Sequence, residues 1–152
     1  MLPTPTKFTL VAGTAEGSTK LNAFDHALLN AGIGNCNLIK VSSILPPGAE
    51  HVRELFIPPG SLVPVAYGAI SLAAPGEIIS AAVAVGISAD SYGVIMEYSG
   101  PTGRLEAEET IRAMVEEAFA TRRLTLANYL VKSVEHRVAG TGCAFAGLVL
   151  WY

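Results

Sequence analysis

The chain has 152 residues, of which 51% are apolar and 15% are charged, and its formal net charge is -3. This composition excludes an intrinsically disordered chain, and the absence of any Lys/Arg run argues against a nucleic-acid partner, because phosphate binding needs clustered cations. No apolar stretch is long enough to cross a membrane, and the start of the chain is too poor in apolar residues for a signal peptide, so we expect a cytosolic protein without a membrane partner.

The length suits one domain, residues 1–152, with a sizeable core. So few charges suggest that other subunits cover part of the apolar surface, and we therefore expect a homo-oligomer. The two cysteines, Cys36 and Cys143, have no metal-type spacing, and a cytosolic location disfavours a disulfide, so we expect two buried thiols.

The first third of the chain predicts strand, loop, helix and strand. KFTLVA (Lys7–Ala12) is rich in strand formers and precedes a polar loop that runs through Lys20. AFDHALLNA (Ala23–Ala31) is typical of a short helix, with Asn22 as its N-cap and Gly32 as its stop signal. The residues expected on its inward face are Phe24, Ala27 and Leu28.

The next strand, NLIKVS (Asn37–Ser42), runs toward Pro46 and Pro47, which remove backbone donors and force the chain out of a sheet. The adjacent serines Ser42 and Ser43 therefore lie at a strand end. Five further apolar runs bounded by turn residues predict strands at Leu62–Leu72, Ile78–Val85, Tyr92–Tyr98, Leu130–Arg137 and Cys143–Trp151.

One long amphipathic helix is predicted over Glu106–Arg123, with acids early and arginines late, as the helix dipole favours. Its apolar face contains Ile111, Met114, Val115, Ala118 and Phe119. Two helices and six or seven strands, several apolar on both faces, indicate an α+β fold of stacked sheets covered by helices.

Common catalytic and metal-binding patterns are absent from the sequence. The histidines His26, His51 and His136 lack the paired spacing of metal ligands, so we expect no metal. No G-x-S-x-G motif surrounds a serine, which argues against a Ser/His/Asp hydrolase, and the glycines lack nucleotide-binding spacing.

The segment LVAGTAEGSTKLNAFDHALLNAGIGNCNLIKVSSILPPGAE (Leu10–Glu50) resembles the most characteristic stretch of the pyruvoyl-dependent arginine decarboxylases. The resemblance continues in the family's order to the end of the chain. It includes PVAYG, PGEIISAA, IMEY, VEH and GCAFAGLVLWY (Gly142–Tyr152).

This resemblance implies a self-cleaving proenzyme that decarboxylates L-arginine to agmatine and CO2. Ser43 Oγ would attack the carbonyl of Ser42, and the chain would separate into residues 1–42 and 43–152. Ser43 would become a covalent pyruvoyl group, an electron sink that needs neither PLP nor a metal. Taken alone, the Ser42–Ser43 pair reads as an ordinary strand-end turn, because serines bond locally to the backbone there.

The resemblance assigns Asn37 to stabilising the oxyanion during self-cleavage and Glu97 to protonating the product carbanion. From the residues alone, the favoured interpretation of Asn37 is an ordinary asparagine at a strand start. Glu97 lies among apolar residues in GVIMEY, where burial would raise its pKa, although a solvent-facing position on an edge strand is the alternative.

Asp25 corresponds by resemblance to the family's acidic contact with the arginine guanidinium, which a carboxylate binds in bidentate geometry. Its position three residues after Asn22 also suits a carboxylate at the positive end of a helix. The sequence departs from the family pattern at His26 and Cys36, where smaller or plainly apolar residues are expected.

The resemblance also implies an αββα sandwich, assembled as an obligate trimer of cleaved protomers with active sites between neighbours. Two alternatives stay open at this stage. One is the same pyruvoyl chemistry on another amino acid, and the other is a non-catalytic oligomeric relative that never cleaves.

Overall fold

The computed structural model describes residues 2–152, which form two helices and nine strands. The helices are α1 (Lys20–Ala31) and α2 (Arg104–Arg122). The strands are β1 (Lys7–Glu16), β2 (Asn37–Lys40), β3 (Ile44–Leu45), β4 (Glu50–His51), β5 (Leu62–Leu72), β6 (Ile78–Ser88), β7 (Gly93–Gly100), β8 (Leu126–Arg137) and β9 (Gly142–Trp151). The predicted α+β class is confirmed.

The strands form two sheets, and each sheet contains strands from both the N-terminal and the C-terminal halves of the chain. The five-stranded sheet has the order β2-β5-β9-β1-β4, and the four-stranded sheet has the order β3-β7-β6-β8. Neighbouring strands are antiparallel except for two parallel pairs, β2 with β5 and β1 with β4. β2 and β3 are therefore the edge strands of different sheets, although they are consecutive in the chain.

Each helix packs on one sheet, and the sheets also contact each other. α1 packs against β1 and β9, and α2 packs against β6, β7 and β8. Alternate side chains of β9 divide between two cores: Phe145 and Val149 pack beneath α1, whereas Ala144 and Leu148 face the other sheet. Burial on both faces explains why β6 and β9 read as continuous apolar runs.

The structure corrects the prediction for the N-terminal third. β1 continues to Glu16 instead of ending at Ala12, because it pairs with β9 along its whole length. α1 begins three residues earlier than predicted, and its N-cap is Thr19, not Asn22. The Thr19 hydroxyl accepts from the Asn22 N–H at 3.1 Å and lies 2.6 Å from Asn22 Oδ1, so the two side chains close the first turn together.

Other differences are smaller. The short strands β3 and β4 were not predicted, because two-residue strands carry no periodicity. Cys143 is buried as expected, whereas Cys36 is only partly buried and donates to the Ile33 carbonyl at 3.1 Å. Both cysteines are unpaired.

Candidate active site

The Ser42–Ser43 pair lies where the chain leaves one sheet and joins the other. The Val41 N–H donates to the Val65 carbonyl at 3.1 Å and so continues the pairing of β2 with β5. The Ile95 N–H donates to the Ser43 carbonyl at 2.7 Å and so begins the pairing of β3 with β7. Within residues 2–152, neither backbone group of Ser42 takes part in a backbone hydrogen bond. The Ser42 carbonyl is therefore free of both sheets.

Glu97 lies diagonally across the strand pair from Ser43. Because Ile44 pairs with Val94, Ser43 stands opposite Ile95, and Glu97 follows two residues later on the same face of β7. Such diagonal neighbours have Cα atoms about 7–8 Å apart. The sheet register thus brings together two residues that are far apart in sequence.

The Glu97 side chain is partly buried between the sheets. Burial raises the pKa of Glu97, and the positive charge of Lys40 partly offsets that rise. A carboxyl group with a raised pKa keeps its proton at higher pH and can donate it. The predicted buried environment of Glu97 agrees with this geometry, and its catalytic role remains a prediction.

Gly68 on β5 makes room for Glu97. A Cβ atom at position 68 would lie 3.1 Å from the Tyr98 carbonyl oxygen and 3.4 Å from the Glu97 Cβ. Next to this contact, the Ser99 hydroxyl donates to the Ala69 carbonyl at 3.1 Å. Strand β5 therefore approaches β7 closely at Glu97 and contributes to the partial burial of this side chain.

Lys40 is a site residue that the sequence reasoning missed. Its Nζ lies 4.7 Å from the centre of the Tyr67 ring, and that ring packs against Phe24 and Phe145. A cation over an aromatic face is attracted to the ring, so the ammonium group has a defined position near Glu97. A signal was present in the sequence, since Lys40 is the only charged residue of NLIKVSS.

Asn37 lies at the far end of β2 from the serine pair. Its side-chain amide donates to the Gly60 carbonyl at 3.2 Å. A strand advances about 3.3 Å per residue, which places Asn37 about 16 Å from Ser42 of the same chain. The structure of one chain therefore does not bring this amide to the Ser42 carbonyl.

Asp25 is exposed in the second turn of α1. Because the helix begins at Lys20, the alternative role of Asp25 at the positive helix end is wrong: the dipole effect is confined to the first turn. No hydrogen bond or ion pair of its carboxylate occurs within residues 2–152. The side chain is thus free to meet a ligand.

A cavity of about 280 Å³ adjoins Ser42 and is apolar. Its described lining is Leu2, Pro3, Pro5, Val41, Ser42, Ile44, Pro46, Pro64, Leu150 and Tyr152. None of these residues carries a charged side chain that could bind a guanidinium, and Asp25 is not among them.

The described part of the chain contains neither a metal-binding cluster nor a membrane-spanning helix. No group of three or more His, Cys, Asp or Glu residues in positions 2–152 could hold a metal ion. Neither of the two helices is long and apolar enough to pass through a membrane.

Comparisons with known proteins identify the family of the chain. Residues 7–151 match the family model described as pyruvoyl-dependent arginine decarboxylase (PvlArgDC). Curated relatives with that name include those of Methanocaldococcus jannaschii, 53% identical over 97% of this chain and 91% of the relative, and Pyrococcus horikoshii, 46% identical over 98% and 96%. The Thermococcus kodakarensis relative is 45% identical over 98% of this chain and 96% of its own length. The chain belongs to the pyruvoyl-dependent arginine decarboxylase family.

Proposed function

We propose that this chain, as a single domain of residues 1–152, cleaves itself between Ser42 and Ser43 and then decarboxylates L-arginine to agmatine and CO2. The observation that carries the proposal is the free Ser42 carbonyl between two anchored strands. An acyl shift needs a carbonyl carbon that can become tetrahedral without breaking a sheet hydrogen bond. Glu97, diagonal to Ser43, supplies an acid beside the same position.

The bonds made and broken in the cleavage belong to the two serines and one water molecule. Ser43 Oγ attacks the Ser42 carbonyl carbon, the peptide C–N bond breaks, and Ser42 is left as an ester on Ser43 with a free amine at residue 43. Loss of the Cα proton of residue 43 expels the Ser42 carboxylate and leaves dehydroalanine. Water then replaces the nitrogen of that residue, which releases ammonia and leaves a pyruvoyl group on residues 43–152.

The surroundings fit a pyruvoyl group at position 43. This position is partly buried, and its carbonyl is held by the Ile95 N–H. Residues 1–42 would stay bound after cleavage, because β1 pairs with β9 from Lys7 to Glu16 and β2 pairs with β5. The separated pieces thus remain one folded unit.

The pyruvoyl carbonyl supplies the electron sink that decarboxylation of an α-amino acid requires. The residues of this chain provide the rest of the chemistry. Glu97 donates a proton to the substrate Cα after CO2 leaves, and its pKa, raised by burial, keeps that proton available. The close approach of β5 at Gly68 contributes to the burial of this acid.

We further infer an αββα sandwich that assembles as a trimer, with each active site between two protomers. Support comes from Asn37 and Asp25, which one chain leaves away from its own Ser42 cavity. It also comes from large apolar side chains exposed on edge strands β2 and β3 and at the start of β5: Ile39 at 44%, Ile44 at 44% and Leu62 at 64%. Two unpaired cysteines favour a reducing compartment, the cytosol.

Intact mass spectrometry and a substrate panel test the proposal together. Purified protein should give two masses, those of residues 1–42 and of residues 43–152 carrying a pyruvoyl terminus. The cleaved protein should release CO2 and agmatine from arginine and react poorly with citrulline, which has the same length without the charge. A single full-length mass, or equal rates on the two substrates, would contradict the proposal.

A further inference from the structure

Glu16, the last residue of β1, joins three separate segments of the chain. Its Oε2 lies 2.5 Å from His136 Nε2, near the end of β8. Its Oε1 accepts from the Gly140 N–H at 2.7 Å, in the turn between β8 and β9. The hydrogen bond from His136 is the main cause that lowers the pKa of Glu16, so the carboxylate form is favoured.

Gly142 is required for this contact. In the ladder between β1 and β9, Gly142 stands directly opposite Glu16. A Cβ atom at position 142 would lie 2.4 Å from Glu16 Oε2 and 2.8 Å from His136 Cδ2. Any larger residue would therefore separate the carboxylate from the imidazole.

The same segment is connected to α1. The Glu16 carbonyl lies 2.9 Å from His26 Nδ1, and because a carbonyl only accepts, the imidazole nitrogen must donate. His26 directly follows Asp25 in the helix. A second bond, from the Asn30 amide to the Thr14 carbonyl at 2.8 Å, ties the following turn of α1 to β1. The end of β1 thus fixes the helix where it presents Asp25.

We propose that Glu16 and His136 are positioning residues for substrate binding, which act by holding α1 so that Asp25 meets the guanidinium in the right place. This inference rests on the proposed function and on the assignment of Asp25 to the substrate. Neither residue touches the scission site or Glu97 within the chain, so the effect should fall on substrate affinity. Substitution of either residue should leave self-cleavage and the rate of the chemical step unchanged.

The test compares Glu16→Gln with Asp25→Asn and with the double variant. Glu16→Gln keeps the size of the side chain but loses the charge that pairs with His136. We expect it to cleave normally, to keep kcat, and to raise the KM for arginine roughly tenfold, since small misplacements of a binding group have effects of this order. In the Asp25→Asn background, the same substitution should add little, because the two act through one contact.

Glu108→Gln is the matched control. Glu108 accepts hydrogen bonds from Ser133 and Arg104 and thus joins the other helix to β8 in a similar way, without a connection to Asp25. Its KM for arginine should stay unchanged. His136→Gln, which can still donate to Glu16, should give a smaller rise in KM than Glu16→Gln and keeps the test available if Glu16→Gln fails to fold.

The outcomes separate the inference from the proposed function. If the wild-type protein makes no agmatine, the proposed function is wrong. If wild type is active, additive effects of Glu16→Gln and Asp25→Asn on KM would overturn the positioning role alone. An unchanged KM in both Glu16→Gln and His136→Gln, or an equal rise in Glu108→Gln, would do the same.

Discussion

The connections from β2 to β3 and from β8 to β9 both cross from one sheet to the other, but they differ in how many backbone hydrogen bonds hold them. In the turn after β8, Val138 exchanges backbone hydrogen bonds of 2.8 Å with Gly76 and Glu77. In the same turn, the Thr141 carbonyl accepts from the Gly17 N–H at 3.0 Å. At the crossing from β2 to β3, Ser42 makes no backbone hydrogen bond within residues 2–152.

The difference shows that one crossing can support the fold while the other leaves a carbonyl group available for reaction. A carbonyl held in a hydrogen-bonded turn resists the change of geometry that nucleophilic attack requires, and breaking its bond costs free energy. The β8–β9 crossing can therefore serve as a fixed support for β1 and α1. The β2–β3 crossing leaves one carbonyl free beside a serine hydroxyl, and it is there that we expect the chain to break.

The largest effect is expected for Ser43→Ala, which removes the attacking atom, Ser43 Oγ, from the β2–β3 crossing. The variant should fold, remain a single full-length chain and release no CO2 from arginine. Denaturing gels and intact mass measure this. Ser42→Ala is the control, because it keeps both Ser43 Oγ and the carbonyl that is attacked, and it should still give two fragments. Two fragments from Ser43→Ala would show that this hydroxyl is not the nucleophile.

Glu97→Gln should separate the two functions of the site. The variant should cleave normally, while kcat should fall on the order of 10²- to 10⁴-fold, as loss of a general acid does. Single-turnover CO2 release measures the chemical step directly. Near wild-type turnover in a fully cleaved variant would remove Glu97 from the mechanism.

The raised pKa of Glu97 also has a consequence for stability. Because burial raises its folded-state pKa above the unfolded value, the folded state binds the proton more tightly, and wild type should lose stability as the pH rises through the raised pKa. Glu97→Gln lacks this group and should lose less stability over that pH range. Urea unfolding of both proteins at several pH values measures the difference.

Asn37→Ala tests whether Asn37 of a second protomer stabilises the oxyanion that forms at the Ser42 carbonyl. Cleavage should slow on the order of a hundredfold or more, as happens when an oxyanion donor is lost. Since Asn37 lies about 16 Å along β2 from its own Ser42, mixing Asn37→Ala chains with Ser43→Ala chains in the proposed assembly should restore cleavage of the Asn37→Ala chain. Persistent failure of the Asn37→Ala chain to cleave in such mixtures would exclude donation from a second protomer.

The smallest effect is expected for Lys40→Met. Removing this positive charge leaves burial unopposed, so the pKa of Glu97 should rise further and the alkaline limit of kcat should move to higher pH. Turnover at neutral pH should change by less than about fivefold, because Lys40 is exposed and solvent screens its charge, and interactions of exposed charges contribute about 0.2–1 kcal/mol. Lys40→Arg keeps the charge and should retain the wild-type profile. A profile shifted equally by both variants would mean that the charge of Lys40 does not act on Glu97.

Much of the fold was predictable because its signals are local. The β5 range agrees with the prediction residue for residue, and α2 differs from its prediction by only two residues at the start and one at the end. The error at the end of β1 has a non-local cause. β1 extends to Glu16 because β9 is long enough to pair with it, which no local pattern in residues 13–16 reveals.

Only those residues of the candidate site that lie in a recognisable sequence motif were predictable. The serine pair and Glu97 stand in recognisable segments, and the structure places them diagonally across β3 and β7. Lys40 was missed because its relation to Glu97 depends on how the two sheets pack on each other, with β5 against β7. The prediction that Asp25 lies in the first turn of the helix was wrong. Thr19 and Asn22 both suit an N-cap, so the sequence does not decide at which of them the helix begins.

The sequence by itself determined the family, the serine pair, and the alternation of apolar residues that commits each strand to a sheet. These features are properties of single residues and their near neighbours. Only the tertiary structure decided that Ser42 lies free between two sheets and that Glu16 meets His136 across 120 positions of sequence. Such relations depend on strand register and on the packing of distant segments, which are settled when the whole core forms and not by any segment alone.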